Sequence, residues 1–196
     1  MRNLLETPFL GTRQYVHGTS LFNAIEGTLR RDVGDDTHIK NLTIRHMATR
    51  TCALLAAEDD PDGHERLVAN VMYWNGSQFL KGKVVETDQQ IENRIPYPED
   101  KIVRGSLVDG ECIRQCEPSG YTVIEEIVAL TKKLHYRTQP QPDGQWVFIN
   151  IDLDRPLHFI EYPFQVEIVR KLGGKLTSSV IICNGEIVGR IQFGVK

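Results

Sequence analysis

The side chains best suited to chemistry stand at two places, each where a helix is expected to begin. One is Glu125-Glu126, a pair of carboxylates early in a helix that the pattern places at 119–136. The other is His17-Gly18, just ahead of a helix over 19–31 that carries Asn23. Carboxylates and imidazoles are the commonest general acids and bases, and a primary amide can hold a water or a carbonyl oxygen. Adjacent residues on a helix project roughly 100° apart, so only one of Glu125 and Glu126 can face a given site. Tyr15 and Tyr121 stand at the same two helix starts, where a phenol either packs or donates a hydrogen bond. Plainer readings stay open. Both glutamates suit the positive end of a helix dipole in water, His17 suits a turn satisfied by backbone, and Asn23 suits a helix surface.

Other chemistry is less well served. Cys112 and Cys116 would share one face of a strand, yet no second Cys or His pair at ligand spacing accompanies them, so no metal is expected. His38, His46, His64, His135 and His158 show no paired spacing, and neither a Gly-x-Ser-x-Gly nucleophile turn nor a glycine-rich phosphate loop occurs. No cofactor is therefore expected. All four cysteines read as reduced thiols, because the N-terminal Met1-Arg2-Asn3-Leu4-Leu5-Glu6 lacks the apolar run of a secretion signal.

The elements that must position these groups form a weak repeat. Residues 66–74 run into Asn75-Gly76 and continue over 78–85; residues 175–183 run into Asn184-Gly185 and continue over 187–193. Asn-Gly between β-branched and aromatic residues predicts a hairpin at each place. Extended stretches precede both, over 39–57 and 164–172, with Gly173-Gly174 as the second turn, so each half reads as an antiparallel meander. Upstream of each lies one helix. Leu21, Ala24, Ile25 and Leu29 give the first its spacing, with Thr19 or Ser20 as cap; Ile124, Ile127, Val128, Thr131, Leu134 and His135 give the second, with Ser119 as cap. A polar stretch over 88–100 with Pro96 and Pro98 reads as the linker, dividing the chain into modules 1–92 and 93–196. The fold class is α+β: two central helices wrapped by a continuous antiparallel sheet. An unrelated pair of α+β domains is the alternative.

Here the residues resemble a known superfamily. Ile102 to Glu111, followed by Ser119-Gly120-Tyr121 opening a helix that carries Glu126, looks like the strand, Gly-Glu, Ser-Gly and helix Glu of hot-dog long-chain fatty acyl-CoA thioesterases. Phe22-Asn23-Ala24-Ile25-Glu26 is similar to the helix motif of the same group. The resemblance covers both halves and implies a double hot-dog. It further implies an acyl thioester, of coenzyme A or acyl carrier protein, bound at the helix starts. Gly18 and Gly120 would sit there, with Tyr15 and Tyr121 lining the site and Glu126 or Asn23 holding the water that hydrolyses it. A more distant resemblance, to fused hot-dog dehydratases, pairs His17 with Glu126 for removing water from a 3-hydroxyacyl thioester. His17 is followed by Gly18-Thr19-Ser20, without the Pro those enzymes usually carry. A third reading keeps the acyl-CoA and drops the chemistry, leaving a binding module.

Composition sets the outer bounds. With 40% hydrophobic residues in 196 the chain can fill a core, and with a net charge of -3 it carries no basic stripe for nucleic acid. No run of about 18 apolar residues marks a membrane span. A cytoplasmic protein is expected, with room for a homodimer.

Overall fold

The computed structural model describes residues 2–59, 61, 64–138 and 144–196; Met1, the first residue of the N-terminal segment discussed above, lies outside them. The chain divides into two compact units, Met1–Tyr97 and Pro98–Lys196.

The first unit contains β1 (Arg2–Leu5), β2 (Phe9–Leu10), α1 (Gly18–Val33), β3 (His38–Ile44), β4 (Cys52–Ala56), β5 (Arg66–Trp74), β6 (Phe79–Glu86) and β7 (Arg94–Ile95). Its main sheet runs β1-β4-β6-β5-β3, antiparallel throughout. Leu21, Phe22, Ile25 and Leu29 recur at helical spacing and bury one face of α1, which lies against β1 and β3.

The second unit contains α2 (Glu99–Ile102), β8 (Leu107–Asp109), β9 (Cys112–Gln115), α3 (Val123–Thr138), β10 (Trp146–Leu153), β11 (Phe164–Leu172), β12 (Leu176–Cys183) and β13 (Glu186–Val195). Its strands run β10-β13-β12-β11-β9-β8, again antiparallel. Helix α3 packs on β9, β10 and β11 through a face that includes Ile124, Ile127, Leu130 and Leu134. Each unit sets one long helix against a broad antiparallel sheet.

Several expectations need correction. Three α-helices occur among the described residues, not two. The additional one, α2, is a single turn opened by Pro98, too short to show any period. The segment read as a linker is partly structured: β7 pairs in parallel with β2, and the Arg94 guanidinium donates to the carbonyls of Gly11 and Arg13 at 2.6 and 2.7 Å. The stretch 39–57 is two strands, β3 and β4, and the first unit is not a meander. There β4 pairs with β6 rather than β5, whereas β11, β12 and β13 of the second unit do follow one another. Gly173 and Gly174 hold φ of 55° and 67° in the turn that closes β11 onto β12.

The two Asn-Gly turns differ as well. Asn184 and Gly185, with φ of 53° and 80°, form a two-residue loop between Cys183 and Glu186. At the other, only Gly76 has positive φ; Asn75 instead accepts hydrogen bonds through Oδ1 from the N–H groups of Ser77 and Gln78, lengthening the turn.

Candidate functional site

Helix α3 begins later than its composition suggested. Thr122, not Ser119, takes the cap position: its carbonyl accepts from the Glu126 N–H at 3.0 Å. The Thr122 N–H and hydroxyl both donate to Glu125 Oε2, at 2.9 and 2.7 Å. This is the reciprocal half of a capping box, Thr-x-x-Glu, and it commits Glu125 to the helix end.

Glu126 is left to face inward. It is 0% exposed, and both carboxylate oxygens are engaged. Oε1 accepts from the Ser119 N–H at 2.6 Å and Oε2 accepts from the Tyr162 hydroxyl at 2.5 Å. A carboxylate has about four lone-pair positions, so each oxygen keeps acceptor capacity after these bonds. Burial, with the hydrogen bond and charge of Glu126 behind it, holds the Tyr162 phenol well above its ordinary range, so it stays a donor. Tyr162→Phe is expected to lower stability by about 1.5–3 kcal/mol, the scale of a hydrogen bond to a charged group, read from the urea midpoint at unchanged slope.

Of the residues singled out from sequence, the fold brings Ser119 to Glu126, and the Tyr121 N–H donates to the Ser119 hydroxyl at 3.3 Å. Gly120, an exposed residue, turns the chain with φ of 85°, and its N–H has no partner among the described residues. Tyr121, half-buried, faces a cavity of about 580 Å³ whose walls include Lys101, Arg104, Gln115, Cys116 and Ser119. Tyr162 had no sequence signal: it lies 36 residues from Glu126, and nothing in Glu161-Tyr162-Pro163 marks it as a partner for a helix.

In the first unit His17, not Thr19 or Ser20, caps α1, with extended backbone at φ -68° and ψ 142°. The ring is buried, its Nδ1 lies 2.7 Å from the Thr19 hydroxyl, and it stands 5.2 Å from the Tyr97 ring. Gly18 is the first residue of α1, Asn23 follows about one turn later, and Asn23 and Tyr15 are both half-buried. On the same helix burial raises the Glu26 carboxyl, and Arg30 at 3.6 Å partly offsets this.

Cys52, Cys112, Cys116 and Cys183 are free thiols, with Cys116 exposed just beyond β9. Among the described residues no three His, Cys, Asp or Glu side chains are grouped to hold a metal, and no helix is long and apolar enough to cross a membrane.

No protein-family model matches the sequence, and comparison with curated proteins gives no match. Solved structures do align over nearly the whole chain. The dehydratase domain of PpsC from Mycobacterium tuberculosis, in complex with C12:1-CoA, is 10% identical at a TM-score of 0.47, covering 100% of this chain and 92% of its own. The erythromycin dehydratase is 12% identical at 0.45, covering 100% and 89%. The tesB protein of Mycobacterium avium subs paratuberculosis is 10% identical at 0.48, covering 93% and 88%.

Proposed function

We propose that this chain hydrolyses acyl thioesters of coenzyme A or acyl carrier protein, acting as two hot-dog modules of one double hot-dog. The observation that carries the reading is Glu126: a wholly buried carboxylate beside the start of a long helix, held by two donors and retaining lone pairs. In the proposed reaction Glu126 accepts a proton from water as the water oxygen bonds to the thioester carbon. The C–S bond then breaks, and the proton passes to the departing thiolate. The N–H groups that any helix start leaves over, together with that of Gly120, polarise the carbonyl oxygen. Tyr15 lines the acyl path, Tyr121 borders the substrate near the thioester at the α3 start, Gly18 lets substrate approach the α1 start, and Asn23 is the second candidate for holding water.

A dehydratase reading has one observation in its favour. His17 is buried at the α1 start with its ring fixed by Thr19, as a base for a 3-hydroxyacyl thioester would need to be. His17 would take the α-proton, Glu126 would protonate the leaving hydroxyl, and a C=C bond would form.

One experiment separates these readings: acyl-CoAs and 3-hydroxyacyl-CoAs are incubated with the protein while free thiol and enoyl absorbance are followed independently. Thiol release is expected, and His17→Ala should retain it within a few-fold. Enoyl formation abolished by His17→Ala would replace hydrolysis with dehydration. Binding without either product would leave a non-catalytic acyl-CoA module.

A further inference from the structure

The hydrolytic reading leaves unexplained two cations beside the candidate site. Lys101 lies in the last turn of α2 and Arg104 just after it, both exposed, and neither is paired with a carboxylate among the described residues. Neighbouring lysines on α3 have partners. Lys132 holds Glu99 at 2.9 Å, and Lys133 donates to the Ser106 hydroxyl at 3.0 Å and to the Val103 carbonyl at 3.4 Å. These bonds clip α2 and the residues after it onto α3 from both sides of Arg104, so the wall bearing the two cations is fixed.

The facing wall is fixed too. Gln115, 2% exposed, donates from Nε2 to the Glu117 carbonyl at 2.9 Å, which leaves its buried Oε1 without a partner. Ser119 is tied to Glu126 at 2.6 Å. Between the walls lies the cavity of about 580 Å³, a volume suited to a small-molecule site. Its charged lining residues are Lys101, Arg104 and Glu117, an excess of one positive charge. It therefore offers two cations to an anion, an acceptor in want of a donor, and a border on the turn that holds Glu126.

We propose that this groove binds the phosphate of the substrate's phosphopantetheine arm, with Lys101 and Arg104 as its counter-charges; the assignment rests on the acyl-thioester reading above. The arm suits the groove chemically, because it carries a phosphate for the cations and amide N–H groups for Gln115, and it ends in the thioester sulfur. Coenzyme A and acyl carrier protein both present this arm.

Non-hydrolysable thioethers test the proposal by equilibrium binding to the intact protein: octyl-CoA, octyl-4′-phosphopantetheine and octyl-pantetheine. Against Lys101→Ala/Arg104→Ala, the two phosphate-bearing ligands should lose about 10-fold or more in affinity and the phosphate-free one less than about 2-fold. Lys101→Arg/Arg104→Lys should restore most of the loss. Bound octyl-4′-phosphopantetheine should also slow alkylation of the exposed Cys116, followed by mass spectrometry. Tighter binding of octyl-CoA than of octyl-4′-phosphopantetheine would point to coenzyme A as the source of the arm, and equal binding to a carrier protein; both orders support the groove. Equal losses for all three ligands, no loss for any, or an unprotected Cys116 at saturation would overturn it while leaving the acyl-thioester reading intact. Failure of every thioether to bind, together with no thiol release from any acyl-CoA, would instead remove that reading and the groove with it.

Discussion

Replacing Glu126 with Gln is expected to slow thioester hydrolysis by about 10²-fold to 10⁴-fold, the usual worth of a positioned general base, while the protein stays folded. Both halves of that expectation follow from the carboxylate's partners. The Gln carbonyl can accept from the Ser119 N–H as Oε1 does now, at 2.6 Å. The new amide N–H₂ would face Tyr162, whose hydroxyl can turn from donor to acceptor. Two charge-assisted bonds become neutral ones, at a cost of about 1 kcal/mol each. The base is lost altogether. Thiol-release kinetics beside a thermal melt of the same preparation read both quantities, and an unchanged kcat would reduce Glu126 to a tie between α3, its leading turn and Tyr162. Glu126→Ala is the less informative change. It leaves the half-buried Ser119 N–H and Tyr162 hydroxyl without their partner, at about 1–3 kcal/mol for each that water does not reach, so lost activity would not distinguish chemistry from folding.

The second large effect is on stability and comes from the far end of α3. His135 is 0% exposed; its ring stacks on Trp146 at a centroid distance of 4.4 Å, and its Nε2 lies 2.6 Å from the Thr177 hydroxyl. Its Nδ1 has no partner among the described residues, nor have the nearby Trp146 Nε1 and the buried Ser179 hydroxyl. A protonated ring would thus bury a charge with an unmatched N–H. Burial, reinforced by the charge of Lys171, pushes the His135 pKa down to about 4, from an unfolded value near 6.5.

The depressed value fixes the sign. Above pH 6.5 the ring is neutral in both states and adds no pH dependence. Between 6.5 and about 4 the unfolded chain takes up a proton that the folded chain refuses, so stability falls as pH falls, by up to roughly 3 kcal/mol in all. Below pH 4 the difference levels off. Urea unfolding of wild type and His135→Gln at pH 7.5, 5.5 and 4.5 isolates the effect, because carboxylates titrating in the same range contribute to both curves. Wild type should lose stability faster over this interval, by as much as one proton's slope, about 1.4 kcal/mol per pH unit. Parallel curves would mean that His135 takes up its proton in the fold as it does in the unfolded chain.

The sequence by itself determined the features that a few neighbouring residues decide. Gly76, Gly173, Gly174 and Gly185 take positive φ at the turns the sequence marked, because a residue without a side chain enters that region at little cost. The apolar period of α3 specifies a buried face, and the roughly 100° between successive residues separates the fates of Glu125 and Glu126 before any tertiary contact forms. The helix start was misplaced by one turn: Ser119 and Thr122 offer the same hydroxyl chemistry, and it is the Glu125 bond to Thr122 that sets the cap.

Tertiary structure alone decided what distant segments do to one another. That β4 lies beside β6 in the first unit depends on which sheet edge is open once the β5–β6 hairpin has formed, and hydrophobic alternation in β4 reads the same beside either neighbour. Arg94 binds back to the carbonyls of Gly11 and Arg13, a contact that a polar, proline-containing stretch does not advertise. Most consequential is Tyr162, brought to Glu126 across 36 residues. A carboxylate and a phenol carry no mark of their partner in sequence. Only when α3 packs against its sheet does burial remove water from Glu126, and that desolvation makes the Ser119 N–H and the Tyr162 hydroxyl necessary.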